Sequence, residues 1–285
     1  MTGLPVVVFD GLAYGMLLFL MSVGLAVTLG LMGLVNLAHG AFAAGGGYVA
    51  ALAMGRAGVP FLLALPLAAL AAAAGGAVLE RLLFRHLYGR SPLDQVLFTV
   101  GVVYVWIAAA TAAFGAGQQP TDLPGFLQGQ IDLGGVRVGL YRLVLILLGV
   151  AVALALALGL ERTRIGALVR ASVEDAEMAG GVGIRVGRLF ALTFTLGAGL
   201  AGFGGALAVP VLGLDPTFPL KYLAYFLIVV CMGGAGTVTG SFLAAAAVGL
   251  VDVAGKYYLP EIGAFAVYGL AVAALVWRPN GVLRA

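Results

Sequence analysis

The sequence predicts an all-α, polytopic helical membrane protein with about eight to nine spans. Hydrophobic residues make up 62% of its 285 positions and charged residues only 9%, and its mean hydropathy is +1.12. Soluble domains do not have this composition. The apolar runs are mostly about 20 residues long, the length that an α-helix needs to cross a bilayer. Short alternating strands, which are typical of a membrane β-barrel, are missing from the sequence. We therefore expect one transmembrane domain covering residues 1–285.

Charged and polar segments divide the chain into the expected spans. Residues 11–55 contain no Asp, Glu, Lys or Arg, and this run is too long for one span but suits two. Charged loops at residues 80–94 and 161–188 separate later spans, and a polar segment at 117–141, rich in Pro and Gly, predicts a surface loop or a small hairpin. The expected spans are residues 12–32, 36–54, 61–79, 95–115, 143–160, 189–212, 222–232, 238–254 and 263–277.

The distribution of Lys and Arg predicts the orientation, because short cytoplasmic loops carry an excess of both. The two charged loops and the C-terminal tail hold most of the arginines, whereas the facing loops contain only scattered cations. We therefore expect these loops and the C-terminus in the cytoplasm and, with about nine crossings, the N-terminus outside. The arginines of the inner set are Arg81, Arg85, Arg90, Arg162, Arg164, Arg170, Arg185, Arg188, Arg278 and Arg284. The net charge of +3 is orientation information and does not predict nucleic-acid binding.

A glycine-rich stretch at residues 31–49 interrupts the first long apolar run. It contains Asn36 and His39 between glycines at positions 33, 40 and 45–47. An unpaired Asn in hydrocarbon is costly and Gly weakens a helix. Irregular backbone at membrane depth is tolerated where protein or a water-filled cavity covers it. We therefore predict an interrupted helix that borders a path or a tight helix contact, as in many transporters.

A second glycine-rich stretch, residues 231–249, matches the first at an offset of 200 residues. Met, Gly, Gly, Phe and Ala coincide at positions 32, 33, 40, 42 and 44 of the first stretch. Matching interrupted segments predict an internal repeat with two Gly-rich interrupted hairpins around a central path. The alternative is chance, since the chain contains 45 glycines. The candidate path residues are Asn36, His39, Gly40, Gly233, Gly236, Thr237 and Gly240.

Asn36 and His39 have two interpretations. Three positions apart on a helix, they would share one face and could hydrogen-bond a solute or hold a gate. They could equally form a satisfied interhelical pair, because polar side chains join helices in membranes. A metal site is not expected, since the sequence has only two His and one Cys.

The ionisable residues disfavour both ion coupling and nucleotide binding by this chain. The acidic residues lie at or beyond the ends of the expected spans, except Asp252, which lies near the outer end of its span. Ion-driven carriers usually keep ionisable groups in mid-membrane. The sequence also lacks the G-x-x-x-x-G-K-[ST] motif, so any ATPase must be another polypeptide and no cofactor is expected on this chain.

The charged loop at residues 161–188 predicts a short amphipathic helix over residues 164–179. Glycines at 180, 181 and 183 would end it. It is either a solvated surface loop or a docking element for a cytoplasmic partner.

Three motifs resemble the permease subunits of branched-chain amino acid ABC importers. They are GLMGLVNLAHGAF at residues 30–42, TRIGALVRASVEDAEMAGGVGI at 163–184 and GGAGTVTGSF at 233–242, and the terminal WRPNG at 277–281 is similar too. The middle motif resembles that family's cytoplasmic coupling segment. The coupling residues that this implies are Arg164, Gly166, Arg170, Ala171, Asp175, Ala179, Gly183 and Ile184.

The resemblance implies a transport subunit, not an enzyme, in a bacterial inner membrane. Its expected partners are membrane lipid, a second permease subunit (a related chain or a second copy), two cytoplasmic ATPases that use ATP, and a solute-binding protein outside that delivers a branched-chain or related amino acid. The family has relatives linked to urea or short amides, some with an acidic residue after His-Gly, where this chain has Ala41. A permease for urea, short amides or another small polar solute and an ion-coupled carrier remain alternatives.

Overall fold

The computed structural model describes residues 3–119, 121, 123–134, 136–278 and 281. Within them, eleven α-helices and one β-hairpin form an all-α membrane fold, as predicted. The helices are α1 (Gly3–Met32), α2 (His39–Ala57), α3 (Phe61–Leu82), α4 (Pro92–Phe114), α5 (Leu140–Arg162), α6 (Arg164–Glu174), α7 (Ala176–Gly181), α8 (Val186–Leu212), α9 (Phe218–Gly233), α10 (Val238–Tyr258) and α11 (Gly263–Trp277). Short 3-10 helices cover Phe84–Leu87 and Gly125–Leu127.

The polar segment between α4 and α5 contains the small hairpin that the sequence allowed. Strand β1 (Gln130–Leu133) pairs antiparallel with β2 (Val136–Gly139), and Ile131 lies opposite Val138. Residues 120, 122 and 135 of this segment lie outside the described part of the chain.

Each predicted span overlaps one helix; the span at residues 263–277 coincides with α11, and the others differ at one or both ends. Among the described residues, six helices are long and apolar enough to cross a membrane, namely α1, α3, α4, α5, α8 and α10, while α9 and α11 are apolar but shorter. Helix α2 has 19 residues and begins at His39. The largest shift is at the N-terminus, where α1 begins at Gly3 instead of residue 12. Asp10 lies inside α1 and forms an ion pair with Arg142 of α5, so this carboxylate does not mark the start of the helix.

Helix α1 is the centre of the bundle. It packs against α5, α8, α9 and α10, and residues 17–21 have no exposed surface. A helix that is apolar and buried on all sides is typical of a core position. Helix α8 lies beside it and also packs on α2 and α3, whereas only a small part of α4 and α5 is buried.

Small residues allow the central helices to approach to backbone contact. Gly24 of α1 faces Gly197 of α8, Gly15 of α1 faces Ala245 of α10, and Gly46 of α2 faces Gly202 of α8. A Cβ added at Gly24, Gly15 or Gly46 would lie under 3.0 Å from backbone atoms of the facing helix. Small residues have this role in membrane bundles, where lipid supplies no hydrophobic force between helices.

We predict that Gly24→Ala destabilises the folded protein. The new methyl group would overlap the backbone of Gly197, and overpacking of this kind costs about 1–3 kcal/mol. The measurement is the thermal unfolding midpoint of the purified protein in detergent. The matched control is Gly101→Ala in α4, where a Cβ meets nothing within 4 Å and where the change favours the helix by about 0.5–1 kcal/mol. Equal midpoints for the two variants would contradict the proposed packing.

Candidate translocation path and coupling surface

The first glycine-rich stretch forms an irregular segment at residues 33–38, between α1 and α2. Gly33 ends α1 with φ +59°, and its N–H donates to the Leu29 carbonyl at 3.0 Å. The N–H of Val35 donates to Oε1 of Gln95 on α4 at 2.9 Å. The N–H of Ala38 donates to Oδ1 of Asn36 at 3.1 Å. Buried backbone without a helical partner is therefore satisfied in part by side chains, as membrane depth requires.

Asn36 and His39 are buried in this segment, with 1% and 2% of their surfaces exposed. Asn36 precedes α2 and His39 is its first residue, so the interpretation that both share one helix face is wrong. The His39 ring also meets a backbone group of Met21 in α1. Among the described residues, Nδ2 of Asn36 and Nε2 of His39 have no hydrogen-bond partner. Such orphan groups are costly unless water or a solute meets them.

The second glycine-rich stretch forms a tight turn at residues 234–237, between α9 and α10. Gly234 and Gly236 adopt φ +86° and +84°, which side chains rarely tolerate. The hydroxyl of Thr237 donates to the Gly233 carbonyl at 2.7 Å. Gly240 faces the backbone of Gly233 so closely that neither has room for a Cβ. Thr237 is thus used by the turn itself, and its predicted role in the path stays a prediction.

The turn of the second glycine-rich stretch packs against the last turns of α1, just before the first stretch. The N–H of Gly236 donates to the carbonyl of Ala26 at 2.9 Å, and Gly30 lies in backbone contact with Gly236. Gly281, from the terminal motif, lies against Gly234 on the other side of the turn. Gly40 takes a different partner and packs on Pro219 at the start of α9. The internal repeat of the two glycine-rich stretches remains a prediction.

Three residues that hold the two glycine-rich stretches in place are missing from the set of path residues predicted from the sequence. They are Ala26 and Gly30, which hold Gly236, and Gln95, which holds Val35. Gln95 gives a signal, since a polar side chain opens an apolar span, but its partner lies 60 positions away. Ala26 acts through its backbone carbonyl, which the sequence does not reveal.

The charged loop forms two helices, α6 and α7, instead of the single helix predicted over residues 164–179. The break falls at Asp175, whose Oδ1 accepts the N–H of Met178 at 2.8 Å and caps α7. Asp is a preferred cap at such a position. The predicted end at glycine is confirmed, because Gly183 adopts φ +89° and the N–H of Ile184 returns to the Ala179 carbonyl at 3.0 Å.

The coupling segment, α6–α7, packs against the helix bundle on its inner side and is exposed on the opposite, outer side. Gly166 lies against the end of α5 at Leu160, where a Cβ has no room, and Val169 and Ala179 are buried. Helix α6 contacts α1, and α7 contacts α8. The outer side exposes Leu168, Met178 and Val182, at 40%, 69% and 74%. Arg164, Ala171 and Asp175 are exposed next to them. The side chain of Arg170 lies outside the described part of the structure.

This arrangement has the form of a docking surface. Large apolar side chains exposed among charged ones mark sites of protein contact. The segment also lies between the C-terminal end of α5 and the N-terminal end of α8. A partner bound there would press on both central helices, because α6 contacts α1 and α7 contacts α8.

The chain is similar to known transport proteins over nearly its whole length. The family described as "Branched-chain amino acid transport system / permease component" matches residues 7–276. The high-affinity branched-chain amino acid transport system permease protein BraD of Pseudomonas aeruginosa is 28% identical over 295 residues, covering 96% of this chain and 94% of BraD. LivH of Escherichia coli, with the same description, is 25% identical over 290 residues, covering 96% and 94%. LivM of Escherichia coli is 27% identical over 295 residues, covering 94% of this chain and 68% of LivM. No solved structure matches the chain.

Proposed function

The chain belongs to the family of branched-chain amino acid transport permeases, and from this premise we propose that it forms half of the membrane pathway of an ATP-driven importer. The proposed solutes are leucine, isoleucine, valine or a related amino acid, because the names of BraD, LivH and LivM describe those proteins as permeases for branched-chain amino acids. The family is a transport component, not an enzyme family. Beyond the family assignment, we propose the energy source and the partners of this chain.

The observation that carries the proposal is the exposed coupling segment, α6–α7. It presents Leu168, Met178 and Val182 to solvent at one end of the bundle, although its inner side is well packed. A P-loop is absent from the sequence, so nucleotide would bind to separate ATPase subunits. Two such subunits, one for each permease subunit, would dock on this surface.

The remaining partners follow from the relatives and from the exposed helices. LivH and LivM are both named as permease proteins of a branched-chain system, which supports a second permease subunit here, as a related chain or a second copy. The exposed apolar sides of α4 and α5 suit lipid or that subunit. A solute-binding protein would deliver the amino acid to the opposite end. The relatives are bacterial permeases, which supports a bacterial inner membrane. The arginines of the coupling segment favour an orientation with this segment and the C-terminus inside.

The proposed mechanism is alternating access driven from the coupling segment. When the ATPases close, α6 and α7 move and push on α1 and α8. These two helices are in backbone contact at Gly24 and Gly197, so they move together. The motion reaches the irregular segment between α1 and α2, where Asn36 and His39 hold unpartnered polar atoms. The permease makes no covalent change in its solute.

Uptake by reconstituted protein tests this function. The chain is placed in liposomes with the candidate second permease, ATPases and binding protein, and uptake of labelled leucine is measured. The proposal predicts uptake that needs ATP inside and the binding protein outside. Uptake by the chain alone under an ion gradient would establish a secondary carrier instead. Competition by urea but not by isoleucine would move the solute class to small amides.

We predict that the double variant Met178→Ser, Val182→Ser weakens attachment of the ATPases. Both side chains are exposed on the coupling segment, and loss of apolar contact area at an interface lowers affinity by roughly 1 kcal/mol or more for each important side chain. The measurement is the fraction of ATPase that co-purifies with the permease. The control is Tyr257→Ser, an exposed aromatic residue near the end of α10, which should leave co-purification unchanged. Equal ATPase recovery in the double variant and the wild type would contradict the docking surface.

We predict that Asn36→Ser lowers uptake more than it lowers the amount of folded protein. Serine keeps an oxygen that can accept the N–H of Ala38, but it removes the unpartnered amide donor. The comparison variant Asn36→Leu removes both and should also reduce stability, since a buried backbone group loses its partner at a cost of about 1–3 kcal/mol. Uptake rate and size-exclusion yield are measured for both. Wild-type uptake by Asn36→Ser would reduce Asn36 to a structural residue.

A further inference from the structure

A polar cavity lies at the end of the bundle opposite the coupling segment. Its volume is about 450 Å³, and it is bordered by α1, α5, α8, α9 and α10. Arg142 is near the start of α5, whereas the coupling segment follows the end of α5. The cavity and the coupling segment therefore lie at opposite ends of the membrane-spanning helix α5. The volume lies within the range of small-molecule sites, roughly 300–1,000 Å³.

The cavity is lined by both charge signs. Asp252 of α10 is almost fully buried, with 4% of its side chain exposed, and it accepts hydrogen bonds from Nζ of Lys256 at 2.7 Å and from the Tyr225 hydroxyl at 2.9 Å. Lys256 is half exposed, at 52%. The ion pair of Arg142 and Asp10 lies on the same cavity. The buried carboxylate of Asp252 thus has one half-exposed partner, Lys256, whose side chain can turn into solvent, and one partly buried partner, Tyr225.

The third cation of the lining, Lys221, is paired outside these two ion pairs. It pairs with Asp215 in the loop between α8 and α9. Burial opposes ionisation of Asp215, but hydrogen bonds from Lys221 and Thr217 outweigh it and hold the pKa of this carboxyl below its usual value. Lys221 is therefore balanced by Asp215, and the groups left to meet a ligand are the Asp252–Lys256 and Asp10–Arg142 pairs.

The rest of the lining is aromatic and aliphatic. Tyr14 and Tyr225 are edge-to-face, with ring centroids 6.3 Å apart, and Nζ of Lys256 lies 6.0 Å from the Tyr14 centroid. Leu17, Leu145 and Val211 add apolar surface. Beside the cavity, α1 and α10 are held together by backbone contact at Gly15 and Ala245. We call this cavity, which α1, α5, α8, α9 and α10 border, the vestibule.

We propose that this vestibule is a receiving site for a zwitterionic α-amino acid with an aliphatic side chain. The ammonium group binds Asp252, with Tyr225 holding the other side of the carboxylate, and the carboxylate group binds Lys256 after its side chain turns away from Asp252. The inference rests on the proposed function and assigns the place where the solute enters the permease.

Charge balance favours a zwitterion over other small solutes. Insertion of a zwitterion into the Asp252–Lys256 pair replaces one ion pair by two and leaves the net charge of the vestibule unchanged. A carboxylate-only or amine-only analogue would leave one buried or half-buried charge without a partner, which is costly. A neutral amide such as urea cannot compensate either charge. The aliphatic lining accepts the side chain.

Ligand-observed NMR tests the assignment. The permease complex with its ATPases is placed in lipid nanodiscs without binding protein or nucleotide, and saturation-transfer signals are recorded for leucine, 4-methylpentanoate and 3-methylbutylamine. The wild type should bind leucine roughly tenfold or more tighter than either analogue. Asp252→Asn should lose the preference for leucine over 4-methylpentanoate, and Lys256→Met the preference for leucine over 3-methylbutylamine. Glu261→Gln, an exposed acid after α10, is the control and should keep both preferences.

If the Asp252–Lys256 ion pair has only a structural role, the NMR binding measurements give a different result. If Asp252→Asn and Lys256→Met bind leucine as the wild type does, or weaken all three compounds equally, the receiving site is overturned. The absence of saturable leucine binding in the wild type would overturn it too. ATP-dependent leucine uptake by the same preparations separates the two proposals. Uptake that persists in both variants leaves the importer function intact and removes only the receiving site, whereas zwitterion binding without uptake in any preparation removes the importer function.

Discussion

The structure depends on backbone contact between helices that carry glycine at the point of contact. Helix α1 touches α8 at Gly24, α10 at Gly15 and the turn before α10 at Gly30. In a bilayer, lipid is as apolar as any side chain, so close van der Waals contact and hydrogen bonds must hold the helices together. The bond from Gly236 to the Ala26 carbonyl adds to this at one end of α1. Larger residues at these positions would separate the helices and open the bundle.

The same contacts join the two functional ends. Helix α1 lines the vestibule through Tyr14, touches α6 of the coupling segment, and ends in the irregular segment that contains Asn36. Helix α8 reaches from α7 to the vestibule at Val211. Because dense helix contacts do not deform continuously, a displacement at one end is transmitted as a movement of whole helices.

The sequence predicted the helices well because hydropathy decides where a chain can cross a bilayer. Its errors lie at helix ends and at a break. The start of α1 was missed because Asp10 was expected to lie beyond the end of the span, whereas the helix continues through Asp10, which pairs with Arg142 from 132 positions away. The break at Asp175 could have been predicted from the sequence. Asp is a preferred residue at a helix N-terminus, where its carboxylate accepts a backbone N–H two or three residues later. For the candidate site, Asn36 and His39 were chosen for their polarity, and their role in the path stays a prediction. The contact of Gly30 with Gly236 was not predicted, because the sequence does not reveal a backbone contact between segments that are distant in the chain. Asp252 was noted for its depth, and only the fold shows that Lys256, Tyr225 and Arg142 surround the same cavity.

The central claim is that nucleotide-driven movement at the coupling segment reaches the vestibule through α1 and α8. The most direct measurement uses a thiol at Val253, which lines the vestibule, introduced by Val253→Cys in a Cys231→Ser background. Its reaction rate with a membrane-impermeant maleimide is compared in the nucleotide-free complex and in the complex trapped with ATP. The account predicts a clear change in rate between the two states. An unchanged rate, in a complex that hydrolyses ATP and takes up leucine normally, would contradict it.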